Sequence, residues 1–229
     1  MYVYGRIVYV RFCALYMTMA APGNASGGGT KRNALPTKGE AKHKKRRVDA
    51  VVRGLNAALD FAYKNKLTVQ DPGAFWCLVK SAMVASGESL PVTKARLDHV
   101  LSAMRQQAHE RIDANDTSLI FGLCDAMRPV KRATRKALAE LAAMSKAEQL
   151  HCYVESPSFA QCDGGPAHTR MLAFAITRRI VLIGVRGNVS VYEACGGAPS
   201  IISEAYDAKP EDVCIAYTGG HYVALVPDH

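Results

Sequence analysis

VCIAYTGGHYVALV, residues 213–226, carries the strongest statement about fold in this chain. Two runs rich in apolar and β-branched residues, Val213–Tyr217 and His221–Val226, flank Thr218-Gly219-Gly220. That pattern predicts a hairpin, because the glycines allow the tight reversal that two adjacent strands require. Working back from it, IVLIGV (180–185) is an unbroken apolar run of the kind buried on both faces of a sheet. Arg186-Gly187-Asn188 reads as a turn, and NVSVYEA (188–194) alternates like a half-exposed strand. HTRMLAFAI (168–176) predicts a short buried helix.

Further upstream the period changes from two to about 3.6. Val48, Val51, Val52, Leu55, Leu59 and Ala62 mark one helical face, Leu97, Val100, Leu101, Met104 and Ala108 a second, and Ala137, Leu138, Leu141 and Met144 a third. Thr93 and Thr134 are the expected N-caps of the last two, since a hydroxyl accepts from free amides at a helix start. Helices first and a small, mainly antiparallel sheet afterwards predict the α+β class.

The 229 residues, 49% of them hydrophobic, suffice for one domain of ordinary size. Seven cysteines lie scattered without paired spacing, which argues against a secreted disulfide scaffold and for reduced, intracellular thiols. The net charge of +9 is unevenly placed: residues 1–70 hold 13 Lys and Arg against 3 Asp and Glu, while residues 71–229 hold 16 against 17. The basic character belongs to the N-terminal third. Residues 1–21 are apolar but broken by Arg6 and Arg11, too short a run to span a bilayer, so no membrane association is expected. Residues 22–41 read as a flexible linker, and KHKKRR at 42–47 as a solvated tail, an import address or a phosphate-binding patch. The expected organisation is a basic, largely unstructured arm over 1–47 and a folded domain over 48–229.

His221 opens a strand directly after two glycines, where a general base can be held rigidly at a sheet edge. Cys77 follows the turn Asp71-Pro72-Gly73 and stands where a helix can begin. Free amides at a helix start favour a thiolate and bind a developing oxyanion, the role expected of the backbone from Gly73 to Trp76 and Cys77. Cys124, followed by Asp125, is the rival nucleophile. His151, Cys152, Cys162 and His168 match no common zinc spacing, so no metal and no cofactor are expected.

GGHYVAL (219–225) near the C-terminus resembles the histidine motif of papain-like cysteine peptidases, and Cys77-Leu78 resembles their nucleophile motif. Within that clan the chain is most similar to the ovarian tumour (OTU) family of deubiquitinases, over roughly residues 70–226. Asp163-Gly164-Gly165 with the helix and strand that follow, and the tyrosine-bearing NVSVYEA, are similar in order to that family. The resemblance implies a papain-like fold, ubiquitin or a ubiquitin-like protein as partner, a polyprotein as another substrate, and hydrolysis of peptide or isopeptide bonds after a C-terminal glycine. Two positions depart from the family pattern. Ala74, Phe75 and Trp76 replace the residues of its Asp-Gly-x-Cys motif, and Val223 stands where an Asn or Asp orients the histidine. Asp71 lies too far from Cys77 to replace the aspartate of that nucleophile motif. Asp228, the nearest acid in sequence to His221, is the expected third residue of a Cys77, His221, Asp228 triad, the alternative being a Cys77 and His221 dyad. The ubiquitin-specific proteases share the GGHY pattern but separate their two boxes by more than the 144 positions found here. The competing expectation is a nucleic-acid-binding protein that uses residues 31–47 and carries an inactive OTU-like scaffold. Either reading places the protein inside the cell, in cytoplasm and nucleus, and in a host cell if the chain is viral or an effector.

Overall fold

A computed structural model describes residues 38–73, 76–126, 143–156, 159, 164–202 and 206–228, with side chains from residue 45 onward. The apolar leader, the glycine-rich linker up to residue 37, the helix expected around 137–141, Ala74, Phe75 and Cys162 lie outside the described residues.

The described chain runs α1 (Lys38–Lys64), β1 (Leu67–Gln70), α2 (Cys77–Ala85), α3 (Lys94–Asp113), α4 (Thr117–Ala126), α5 (Lys146–Glu155), α6 (Pro166–Ala175), then β2 (Ile180–Ile183), β3 (Val189–Tyr192), β4 (Ser200–Ile202), β5 (Val213–Tyr217) and β6 (Tyr222–Pro227). This is an α+β chain. Its six strands form one sheet in the order β1-β6-β5-β2-β3-β4, antiparallel except for the parallel pair β2 and β5. The hairpin over 213–226 closes with Tyr217 opposite Tyr222.

Alternation along the strands divides the core in two. Ile180, Val213, Ile215, Tyr222, Ala224 and Val226 face α2 to α6, while Val181, Ile183, Cys214, Ala216, Val223 and Leu225 face Ala58 and Ala62 of α1. Burial on both faces is why the central strands read as continuous apolar runs. Helix α1 approaches the sheet through small residues, so its buried face is Gly54, Leu55, Ala58 and Ala62. Val48 and Val52, expected on that face, are 45% and 46% exposed. Helix α1 begins at Lys38, ahead of the expected boundary at residue 48, and ends at Lys64.

Caps agree with their chemistry. The Thr93 hydroxyl accepts from the Arg96 amide at α3, and Ser145 with Glu148 closes a capping box at α5. Arg170, buried on α6, bonds Asp116 at 2.7 Å, Ser118 at 2.7 Å and the Gly196 carbonyl. Each of its three nitrogens thereby has an acceptor, as a buried guanidinium requires.

The loop before His221 rests against α1. A Cβ on Gly54 would stand 2.7 Å from Thr218 Cα and 2.9 Å from its carbonyl carbon, backbone atoms that cannot rotate away. Gly54→Ala should therefore cost about 1–3 kcal/mol by overpacking and lower the urea midpoint. Gly220→Ala, with nothing within 4 Å, should stay within about 0.5 kcal/mol of the parent.

Candidate active site

Three segments meet at one end of the sheet. The first is β1, which pairs with β6 in the register Leu67 with Pro227 through Gln70 with Ala224. One residue further along, Asp71 comes level with Val223, two positions from His221. The second is the turn before β6. Thr218 donates both its amide (2.8 Å) and its hydroxyl (3.0 Å) to the His221 carbonyl, with Gly219 at φ 86°, so the backbone of His221 is clamped where the strand begins. The third is the start of α2, where Cys77 is the first helical residue.

The left-handed conformation of Trp76, φ 56° and ψ 30°, sets the entry to α2. For a bulky L-residue that conformation costs about 1–2 kcal/mol, held here by the packing of the indole against the main core. No side chain caps α2. The first amides of any helix lack intrahelical acceptors, so those at Cys77 and beyond face the thiol's surroundings as donors.

His221 Nε2 lies 2.8 Å from Asp71 Oδ1. The ring is also hydrogen-bonded to Cys77, and Nδ1 is the nitrogen left for that contact. Burial alone would depress the imidazole's pKa. The bonds to Asp71 and Cys77 and the negative charge of both outweigh burial and push it up to about 9. Asp71 shifts the other way. Burial would raise its carboxyl, but the His221 bond, the Gly73 amide and the ring's charge hold it below the ordinary value. The two shifts agree on one arrangement, an imidazolium paired with the Asp71 carboxylate.

The site thus brings Cys77 and His221 together and changes the third member. Asp228 lies beyond the far end of β6, about 20 Å of strand from His221, exposed, with its amide on the Lys66 carbonyl. Asp71 takes the place expected for it. Separation along the chain was a poor guide because β1, the turn and α2 fold back around the ring. Gly73 is corrected too. Its amide donates to Asp71 Oδ1 at 2.8 Å, closing an Asx turn at φ 81°, and so orients the acid instead of lining an oxyanion hole. The buried indole Nε1 of Trp76 has no acceptor among the described residues.

Gly164, at φ 63°, presses on Leu78, where a Cβ would meet Leu78 Cδ2 at 2.5 Å, and its carbonyl accepts from the Tyr222 hydroxyl. This close approach ties the residues after Cys77 and after His221 to one loop. Beside Asp71 a cavity of about 420 Å³ opens between Pro72, Gly73, Lys80 and the segment Leu90–Val92. Cys124 packs against the core from α4, and the charges acting on His221 are those of Cys77 and Asp71. His168 is buried on α6 against Tyr153 and Phe159, its pKa driven down to about 4 by desolvation, so it is a neutral core residue. Among the described residues no group of three or more His, Cys, Asp and Glu side chains surrounds a point where a metal would sit.

Because the folded pKa of His221 lies above its ordinary 6.5, the stability it contributes is complete below about pH 6.5 and is lost as pH rises through about 9. Asp71→Asn should lower the ring's titration midpoint from about 9 and shift that alkaline loss to lower pH, as read by NMR of ring-labelled histidine and by melts across pH. Asp228→Asn should leave the midpoint where it is.

No family model matches the chain, and no curated protein or solved structure matches it either.

Proposed function

We propose that this protein is a cysteine-type hydrolase in which Cys77 is the nucleophile, His221 the general base and acid, and Asp71 the residue that orients the ring. The observation that carries this is the placement of His221 between the Cys77 thiol and the Asp71 carboxylate at a clamped strand start. His221 takes the thiol proton of Cys77 as the sulfur becomes the nucleophile. The thiolate attacks a substrate carbonyl, and amides at the start of α2 receive the oxyanion. The imidazolium gives its proton to the leaving amine as the C–N bond breaks, leaving a thioester on Cys77. Water, deprotonated by His221, then attacks the thioester, and the C–S bond breaks to release the acid and restore the thiol and the base.

Ubiquitin or a ubiquitin-like protein, cleaved after its C-terminal glycine, is the proposed substrate, in line with the OTU resemblance of the Cys77 and His221 motifs. The second reading, binding of nucleic acid, draws on Lys45, Arg46 and Arg47, which are all exposed on α1. On that reading, affinity for a duplex should fall steeply with salt, and neutralising the three residues should flatten the dependence.

The deciding experiment is labelling with ubiquitin that bears a C-terminal electrophile, followed by peptide mapping. The adduct should form on Cys77, vanish in Cys77→Ser and persist in Cys124→Ser. His221→Ala should slow it by a factor on the order of 10²–10⁴. Labelling of Cys77 by a small alkylating reagent without a ubiquitin adduct would retain the thiol chemistry and discard the substrate. Undiminished labelling in Cys77→Ser would discard the nucleophile.

A further inference from the structure

The cavity beside Asp71 is walled on one side by the turn that precedes α2 and on another by Leu90, Pro91 and Val92. Both walls are braced from within the protein. Asp71 and Gly73 are held by their Asx turn, and the loop from α2 to α3 is tied down along its length. Glu88 donates its amide to the Met83 carbonyl of α2 at 3.1 Å and holds Arg96 of α3 through its carboxylate at 2.7 Å. The Arg178 guanidinium bonds the Ser86 carbonyl at 3.1 Å, and Thr93, directly after Val92, caps α3. Leu90 is thus a large apolar side chain kept 45% exposed by a braced loop. An exposed leucine on its own is ordinary. Here Pro72, Pro91 and Val92 stand around the same hollow, so the exposed apolar surface is concave and continuous.

The lining narrows what the hollow can take. A volume of about 420 Å³ lies within the range of about 300–1,000 Å³ found for ligand pockets. Asp71 and Lys80 contribute one formal charge of each sign, so the wall carries no net charge that would select an ion. Asp71 Oδ1 already serves His221 and the Gly73 amide. Discrimination therefore falls to the apolar surface. The hollow also adjoins the chemistry: Asp71 is bonded to the His221 ring, and Lys80 stands three residues after Cys77 on α2, a spacing at which helical side chains are neighbours.

We propose that this cavity is a specificity subsite that takes an apolar side chain of the substrate close to the scissile bond, with Leu90 as the residue that selects it. This rests on the hydrolase reading above and holds whatever the identity of the substrate. An apolar side chain seated there releases water from its own surface and from Leu90, Pro91 and Val92. A charged one gives up hydration against the leucine and proline surfaces and is disfavoured. Leu90 touches the substrate's flank and takes no part in the proton transfers of Cys77 and His221.

The test alkylates the reduced full-length protein with two chloroacetamides that share a warhead and differ in their tails, N-methyl and N-(2-phenylethyl). Rates at Cys77 are read by mass spectrometry of its peptide, with the exposed Cys152 as the reference for the intrinsic reactivity of each reagent. Relative to Cys152, the phenylethyl reagent should modify Cys77 on the order of 10-fold faster than the methyl reagent. Leu90→Ser, at an exposed position that does not threaten folding, should reduce that preference several-fold and leave the methyl rate unchanged, whereas Leu90→Met should retain it. The same ratio of rates at Cys77 and Cys152 in the parent would overturn the subsite, and so would a preference undiminished in Leu90→Ser. Absence of any Cys77 adduct with both reagents would overturn the nucleophile itself, and the subsite with it.

Discussion

The pairing of β1 with β6 is the constraint on which the candidate site depends. Four residues of edge strand, Leu67–Gln70, contribute little burial of their own. Their register nevertheless decides where the next residue goes, and that residue is Asp71. A strand register is discrete, because a slip by one turns every side chain to the other face. Val69 packs inward against the α1 side of the sheet and Thr68 does not, so the slipped pairing would expose the one and bury the other. Asp71 is thus delivered to His221 by apolar packing several residues away. The Asx turn then uses the Gly73 amide to aim the carboxylate, which leaves the chain to swing through Trp76 into α2.

Electrostatics and packing support each other at this point. A neutral histidine would be the favoured form for a buried ring, as His168 illustrates in the same chain. His221 is pushed in the opposite direction because it has partners of the right sign on both nitrogens, whereas among the described residues His168 has only the Tyr153 hydroxyl at 3.4 Å. The contrast separates the candidate base from a buried core histidine by surroundings, with residue type held constant. The strain at Trp76 belongs to the same balance. A residue in a left-handed conformation persists only where its surroundings hold it, and here the indole is seated in the core while the backbone turns Cys77 toward the ring.

Much of this was legible in the residues. The hairpin over 213–226, the central run 180–183 and the helix over 166–175 announce themselves through continuous apolarity and glycine punctuation, and Cys77 and His221 through their turn contexts. What could not be read there depends on contacts between distant segments. LTVQ is too short to show a period, so β1 was missed, and with it the partner of His221. Asp228 was attractive because it is near in sequence, yet an extended strand carries a neighbour away at about 3.3 Å per residue. Val48 and Val52 satisfy a helical period, but α1 turns its glycine and alanines to the sheet because they allow the closest approach. Gly73 looked like an oxyanion donor for want of any sign that its amide was already engaged.

The same reasoning applies to the histidine pair where α3 meets α5: His109 Nε2 lies 2.6 Å from Glu155 Oε1, and His151 Nε2 lies 3.1 Å from Asp113 Oδ1. His109 and His151 are 42 positions apart, and nothing in the local pattern of either helix marks them as partners. Only the crossing of the two helices reveals that each histidine finds its carboxylate on the other element. Such an exchange matters physically, because a carboxylate on the partner helix holds a ring toward the interface, whereas one on its own helix would draw it along the surface. The α3 and α5 crossing therefore presents the two inner nitrogens to each other, just as the β1 and β6 pairing presents Asp71 to His221. In both places the backbone register between two elements, and not the local sequence of either, determines which polar atoms meet.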